Sequence, residues 1–153
     1  MELLELGETV VSSLTHRRGT VVKAGPYGDQ PFQILDEFGD YHSFINKDGT
    51  TSTREIWQKT NWYVYLVECS DGSFYCGIAK DVKERIAKHN SGKGAKYTRS
   101  RLPVKLIGCR GNLSRTEAAV LEYSIKKKPK TKKLSFMLNF PVEDFPKKNK
   151  QNA

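Results

Sequence analysis

An arginine and a histidine set four residues apart, Arg85 and His89, share one face of any helix that carries both. A guanidinium fork grips phosphate oxygens bidentately. The imidazole one turn on reaches the same phosphate, where it orients a water, shuttles a proton or touches an oxygen. Three tyrosines, Tyr63, Tyr65 and Tyr75, stand in two runs rich in aromatic and β-branched residues. They read as packing aromatics or as hydroxyls brought to a site, and period-two alternation puts Tyr63 and Tyr65 on one strand face. Glu122 precedes Lys126 by four residues, the spacing of an ordinary helix-surface ion pair. Lys93, Lys96, Arg99 and Arg101 enclose Tyr97, and such a basic loop can follow a nucleic-acid backbone and stack a base or sugar. Lys126, Lys127, Lys128, Lys130, Lys132 and Lys133 form a second run, read either as a solvated helix end or as a surface that tracks DNA. Lys80, at a strand end beside Tyr75-Cys76-Gly77, is a further candidate phosphate contact.

These side chains need a scaffold, and the local signals supply one. Residues 62–69 read as a strand, 70–73 as a turn and 74–78 as the returning strand. Asp81 caps a helix that carries Val82, Arg85, Ile86 and His89, and 90–94 stop it. Residues 104–108 follow Pro103 as a third strand. Ser114 with Glu117 makes a capping-box pattern for a helix through Ala118, Ala119, Leu121 and Ile125, which Pro129 closes. The order ββαβα is a mixed α/β domain. The first sixty residues differ: short strands at 9–11, 20–22, 32–35 and 41–45 are separated by turn signals at 17–19, 25–29, 37–40 and Asp48-Gly49. About five strands so closely spaced resemble the SH3-like barrels of KOW and Tudor-type modules.

Composition agrees with two modules. The 153 residues hold 37% apolar and 28% charged side chains, enough for a modest core. The net charge of +9 is uneven: residues 1–61 carry −3 and residues 62–153 carry +12. The basic second half reads as a surface for a polyanion partner or as a lysine-rich face kept for solubility, and the first half as an adaptor or packing module. No apolar run approaches the ~20 residues that cross a bilayer, and the acidic start is the wrong charge for a secretory leader. Cys69, Cys76 and Cys109 form no CxxC pair, so neither a zinc site nor a disulfide framework is indicated. A reducing, cytoplasmic setting without membrane contact is expected.

Taken together, the second half resembles the GIY-YIG nuclease superfamily. Tyr63-Val64-Tyr65 stands ten residues ahead of Tyr75-Cys76-Gly77, in the place of the paired signature. Residues 81–90 are similar to that family's first helix, with its arginine and histidine. Residues 91–99 followed by Pro103 resemble the small bacterial stand-alone members and the resolvase-subunit type. Glu122 occupies the place of the metal-binding glutamate. Tyr63 replaces the first signature glycine, Cys76 is the middle of the second tripeptide and is expected to face away from the chemistry, and Asn139 is the one loose match to a polar residue near the family's C-terminal end.

The resemblance, over about residues 62–134, implies an α+β architecture: a small N-terminal SH3-like β-barrel, then a GIY-YIG domain with a three-stranded antiparallel sheet flanked by helices. The domains expected are 1–60, 61–140 and a basic polar tail at 141–153. The function implied is a metal-dependent endonuclease hydrolysing DNA phosphodiesters with one Mg²⁺ or Mn²⁺ ion. Tyr65 would be the general base, Arg85 the phosphate clamp, Tyr75 and His89 helpers at water or phosphate, and Glu122 the metal ligand. Lys80, Lys93, Lys96, Tyr97, Arg99, Arg101, Lys126 and Lys127 would contact nucleic acid. A phenol of pKa ~10 needs nearby positive charge to act as a base, and Arg85 and the metal would provide it. Charge leaves RNA open beside DNA, and a protein partner or homodimer through the N-terminal module is a further expectation. The rival reading is a non-catalytic nucleic-acid-binding adaptor on the same fold, for which Tyr65, Arg85, His89 and Glu122 together would be unnecessary.

Overall fold

The computed structural model describes residues 2–22, 33–43 and 45–141; the expectations for 25–29, Phe32, Phe44 and the tail beyond Pro141 lie outside them. The chain divides between Thr60 and Asn61 into two compact units.

The N-terminal unit is an antiparallel sheet of β1 (Thr9–Ser12), β2 (Arg18–Val22), β3 (Gln33–Asp36), β4 (Tyr41–His42) and β5 (Trp57–Lys59), in the order β4-β3-β2-β1-β5. Leu4, Val10, Val21, Ile34, Ile45 and Trp57 form its core. The strand β5 is a correction to the sequence reading, in which three residues, two of them polar, gave no alternation to detect. The β3–β4 turn is tied by the buried Asp36 carboxylate, which accepts from His42 Nε2 at 2.9 Å, from Arg17 at 3.0 Å and from the amides of Phe38 and Asp40. Burial pushes that carboxyl up, and these donors more than offset it, holding it at about 2.

The second unit begins with β6 (Trp62–Glu68) and β7 (Phe74–Ala79), paired so that Tyr65 lies opposite Gly77 and Val67 opposite Tyr75. Next come α1 (Val82–Lys88), a kinked wide turn over His89–Lys93, and α2 (Lys96–Arg99). Strand β8 (Lys105–Leu113) then pairs with β6 on its other side, giving the order β7-β6-β8, and α3 (Arg115–Lys126) and α4 (Lys130–Asn139) complete the unit. Alternation along β6 sends Tyr65 and Val67 to one face, where they pack with Cys69, Ala79, Val104, Val82 and Ile86. Val64 and Leu66 go to the other face, and α3 buries Ala118, Leu121 and Ile125.

Local signals explain most boundaries. Asp81 caps α1 by accepting from the Glu84 amide at 2.9 Å. Ser114 and Glu117 make the reciprocal capping box of α3. Two expectations need correction. Strand β8 runs on to Leu113 rather than ending near Gly108, because shifts in register against β6 keep the longer strand paired. Pro129 does not simply end a helix: α3 stops at Lys126, and Pro129 starts α4. Proline suits a helix start, where its missing N–H has no partner to lose. Lys133 Nζ then donates to the carbonyls of Ile125 and Lys126 at 3.0 and 3.2 Å, and Arg110 donates to the carbonyls of Met137 and Phe140 at the end of α4.

The capping box is buried, so its loss is not repaired by water. Ser114→Ala is expected to destabilise the second unit by ~1 kcal/mol, a fall in the Tm of that unit of roughly 4–8 °C. Thermal unfolding followed by circular dichroism measures it; an unchanged Tm would show that the cap is dispensable.

Candidate active site

The register of β6 and β7 puts Tyr65 and Tyr75 diagonally across from each other on one face, with ring centroids 6.4 Å apart. The residue directly opposite Tyr65 is Gly77, and a Cβ there would overlap the Tyr65 hydroxyl. The signature glycine is therefore the space into which the phenol folds. His89 closes the arrangement from the end of α1. Its Nε2 lies 2.8 Å from the Tyr65 hydroxyl, and its ring meets Tyr75 edge-on at 5.3 Å. Both hydrogen-bonded groups are interior: Tyr65 is 1% and His89 0% exposed.

The wide turn after α1 makes this possible. Gly92 takes φ 80°, a left-handed conformation suited to glycine, and the chain doubles back under the imidazole. Gly94 passes so close to His89 that any side chain there would overlap the ring. Asn90 pins the turn to the chain before β8, donating to the Val104 carbonyl at 3.1 Å and accepting from its amide at 2.7 Å. Thr98, fully buried on α2, brings its hydroxyl to 2.9 Å from His89 Nδ1.

Arg85, one turn before His89, acts on all three rings. Its charge bears on Tyr65, Tyr75 and His89. Burial pushes the Tyr65 hydroxyl up to about 12, and Arg85 offsets only part of that rise. Burial raises Tyr75 as well, against the pull of Lys126. Burial and the Arg85 charge both hold His89 below its ordinary 6.5. At neutral pH the site therefore contains a protonated phenol and a neutral imidazole.

Glu122 and Lys126 form an ion pair on α3, with Lys126 Nζ 6.0 Å above the Tyr75 ring. Glu122 also bears on Tyr75, so the carboxylate and the aromatic cluster share one electrostatic neighbourhood. Its side chain is 20% exposed. Among the described residues no three His, Cys, Asp or Glu gather in one place. A single, accessible, hard oxygen donor fits Mg²⁺, which keeps several waters and takes substrate phosphate to complete its octahedron. Cys76 points to the opposite sheet face from Tyr75, yet Glu122 reaches it: burial, then the Glu122 charge, pushes its thiol up to about 12.

The remaining sequence candidates separate into two groups. Lys93, Lys96 and Arg99 are exposed on the turn and α2 beside the site. Tyr97, 40% exposed, stacks on Tyr75 at 6.0 Å, and Arg101 lies 4.0 Å over the Tyr97 ring while bonding Asp71 at 3.0 Å. Tyr97 and Arg101 thus also pack against protein, Tyr97 on Tyr75 and Arg101 on Asp71. Lys80 and Arg115 each sit 5.6 Å over Trp62. Lys127 covers Tyr123 at 4.1 Å. Asn139 is exposed at the end of α4. Thr98, Asn90 and Gly94 were missed as site residues; the one signal was their crowding within ten residues of His89.

Residues 61–135 match the GIY-YIG catalytic domain. A UPF0213 protein of Streptococcus pneumoniae is 52% identical over 75 residues, 49% of this chain and 76% of the relative. One from Cupriavidus necator is 45% identical over 83 residues, 54% of this chain and 90% of the relative. The solution NMR structure of a UPF0213 protein from Bacillus halodurans is 50% identical and covers 47% of this chain and 77% of that one, with a TM-score of 0.31. No helix among the described residues is long and apolar enough to cross a membrane. Through its second unit, this chain belongs to the GIY-YIG family, whose members are generally divalent-metal-dependent nucleases.

Proposed function

We propose that the second unit is an endonuclease that hydrolyses DNA phosphodiester bonds, and that residues 1–60 are an SH3-like module. The strand order β4-β3-β2-β1-β5, a meander whose last strand returns beside the first, supports the module. The observation that carries the nuclease reading is the Tyr65 hydroxyl, held 2.8 Å from His89 Nε2 under the charge of Arg85.

A phenol held at about 12 is not a resting base at neutral pH. It works instead as a relay. As an attacking water adds its oxygen to phosphorus, it passes a proton to the Tyr65 oxygen, while the Tyr65 proton moves to His89 Nε2. The phosphorus–oxygen bond to the leaving nucleoside then breaks. Arg85 grips a non-bridging oxygen and stabilises negative charge on the Tyr65 oxygen during the transfer. Tyr75 lines the path of the water and packs the ring of His89. Glu122 would hold the divalent ion, which when bound polarises the phosphoryl group and neutralises charge on the leaving oxygen. Lys93, Lys96 and Arg99 offer cationic contacts to the backbone on either side.

Cleavage of plasmid, flap, junction, single-strand and RNA substrates with Mg²⁺ or Mn²⁺ tests this reading. Glu122→Ala and Arg85→Ala are expected to lower the rate by about 10²-fold or more while most nucleic-acid binding remains. Full activity in either variant removes that residue from the mechanism, and metal-independent cutting removes the ion.

The pH dependence has a defined sign. Only neutral His89 accepts a proton, and its pKa is held below 6.5, so the cleavage rate should be flat through neutrality and fall on the acid side below pH 6.5. A pH–rate profile with its acid limb above 6.5 would exclude His89 as the acceptor.

A further inference from the structure

The Thr98 hydroxyl lies 2.9 Å from His89 Nδ1 and 2.9 Å from the Ala95 carbonyl oxygen. It has one hydrogen, so it donates to one of these and presents a lone pair to the other. Two arrangements are available. In the first, Thr98 donates to Ala95, Nδ1–H donates to Thr98, and Nε2 accepts the Tyr65 O–H at 2.8 Å. In the second, Thr98 donates to Nδ1, and Nε2–H donates to Tyr65. The Tyr65 oxygen would then receive His89, and its own hydrogen would have no acceptor among the described residues, in a group that is 1% exposed. A buried donor left unmade is costly. The second arrangement gains only the Ala95 amide, 3.4 Å from Nδ1. The first therefore prevails.

We propose that Thr98 is a positioning residue that keeps the His89 proton on Nδ1, leaving Nε2 as the acceptor of the Tyr65 proton. The titratable and charged groups facing the imidazole are Tyr65 from β6, Tyr75 from β7 and Arg85 from α1. None of these can accept from Nδ1 in place of Thr98. A neutral hydroxyl thus takes the orienting role that a carboxylate fills in many catalytic histidines, and the direction of proton movement follows from it. The role in catalysis rests on the nuclease reading above; the tautomer does not.

The two parts are tested separately on the full chain. Nitrogen-15 NMR of the His89 ring at neutral pH is expected to show a protonated Nδ1 and a bare Nε2. Thr98→Val, which removes the hydroxyl at constant shape, should lose that preference, and Thr98→Ser should keep it. In cleavage assays Thr98→Val should lower kcat by about tenfold or more with KM little changed, and Thr98→Ser should restore it. A wild-type proton on Nε2 overturns the assignment, as does an unaltered tautomer in a folded Thr98→Val. If Thr98→Val fails to fold, the wild-type and Thr98→Ser spectra still decide the tautomer. If wild type cleaves no substrate, the nuclease reading falls while the ring spectrum still decides what Thr98 does.

Discussion

A phenol and an imidazole share the interior of the second unit, and neither can be buried there without a partner. Their mutual hydrogen bond, Tyr65 to His89 at 2.8 Å, meets that requirement, and much of the surrounding backbone is shaped to permit it. Gly77 opposite Tyr65 and Gly94 beneath His89 leave the volume that the two rings fill. The turn over His89–Lys93 reverses the chain so that Thr98 reaches the far nitrogen, and Asn90 fastens that turn to the chain before β8. A side chain added at either glycine displaces a ring from its partner. The hydrogen bond and the two empty Cβ positions are one constraint seen from two sides.

Electrostatics follows from the same burial. Bulk solvent is held off the pair, so Arg85 acts on it through a medium of low polarisability. Its charge lowers both proton affinities, favouring the phenolate and disfavouring the imidazolium. A proton that crosses from oxygen to nitrogen is therefore not trapped. The ion pair of Glu122 with Lys126 plays a comparable part at the rim, since a carboxylate already satisfied by an ammonium stays available to a harder cation only by exchanging one for the other.

Much of this was readable in the residues because it depends on short, regular periods. The signature strands, the Asp81 cap, the Ser114–Glu117 box and the four-residue step from Arg85 to His89 are local patterns, and each appears in the structure where the sequence puts it. The contact of Thr98 with His89 spans nine residues of irregular turn, for which no periodicity exists. Arg101 reads as a free cation until Asp71, thirty residues earlier in the chain, is seen to bond it. Helix α4 was hidden by its lysines and by a proline that reads as a stop, although Leu134 and Met137 are spaced to bury one face. Side-chain chemistry was legible, and the long-range bonds that commit each side chain were not.

The lowered proton affinity of His89 has a cost for its role, because a weaker base accepts a proton less readily. The relay makes this an advantage. His89 must remain neutral at the start of every cycle, and burial beside Arg85 secures that throughout the neutral range. It must also give the proton back, since a stable imidazolium could not take the next Tyr65 proton, and Tyr65 could then accept none from the next water. A stronger base would take the proton faster and keep it longer. With Nδ1 bonded to a neutral hydroxyl rather than to a carboxylate, nothing in the described surroundings lowers the cost of the charged ring. The choice of threonine over an acidic residue at position 98 thus matches a histidine that lends its basicity for the duration of one bond cleavage and recovers it afterwards.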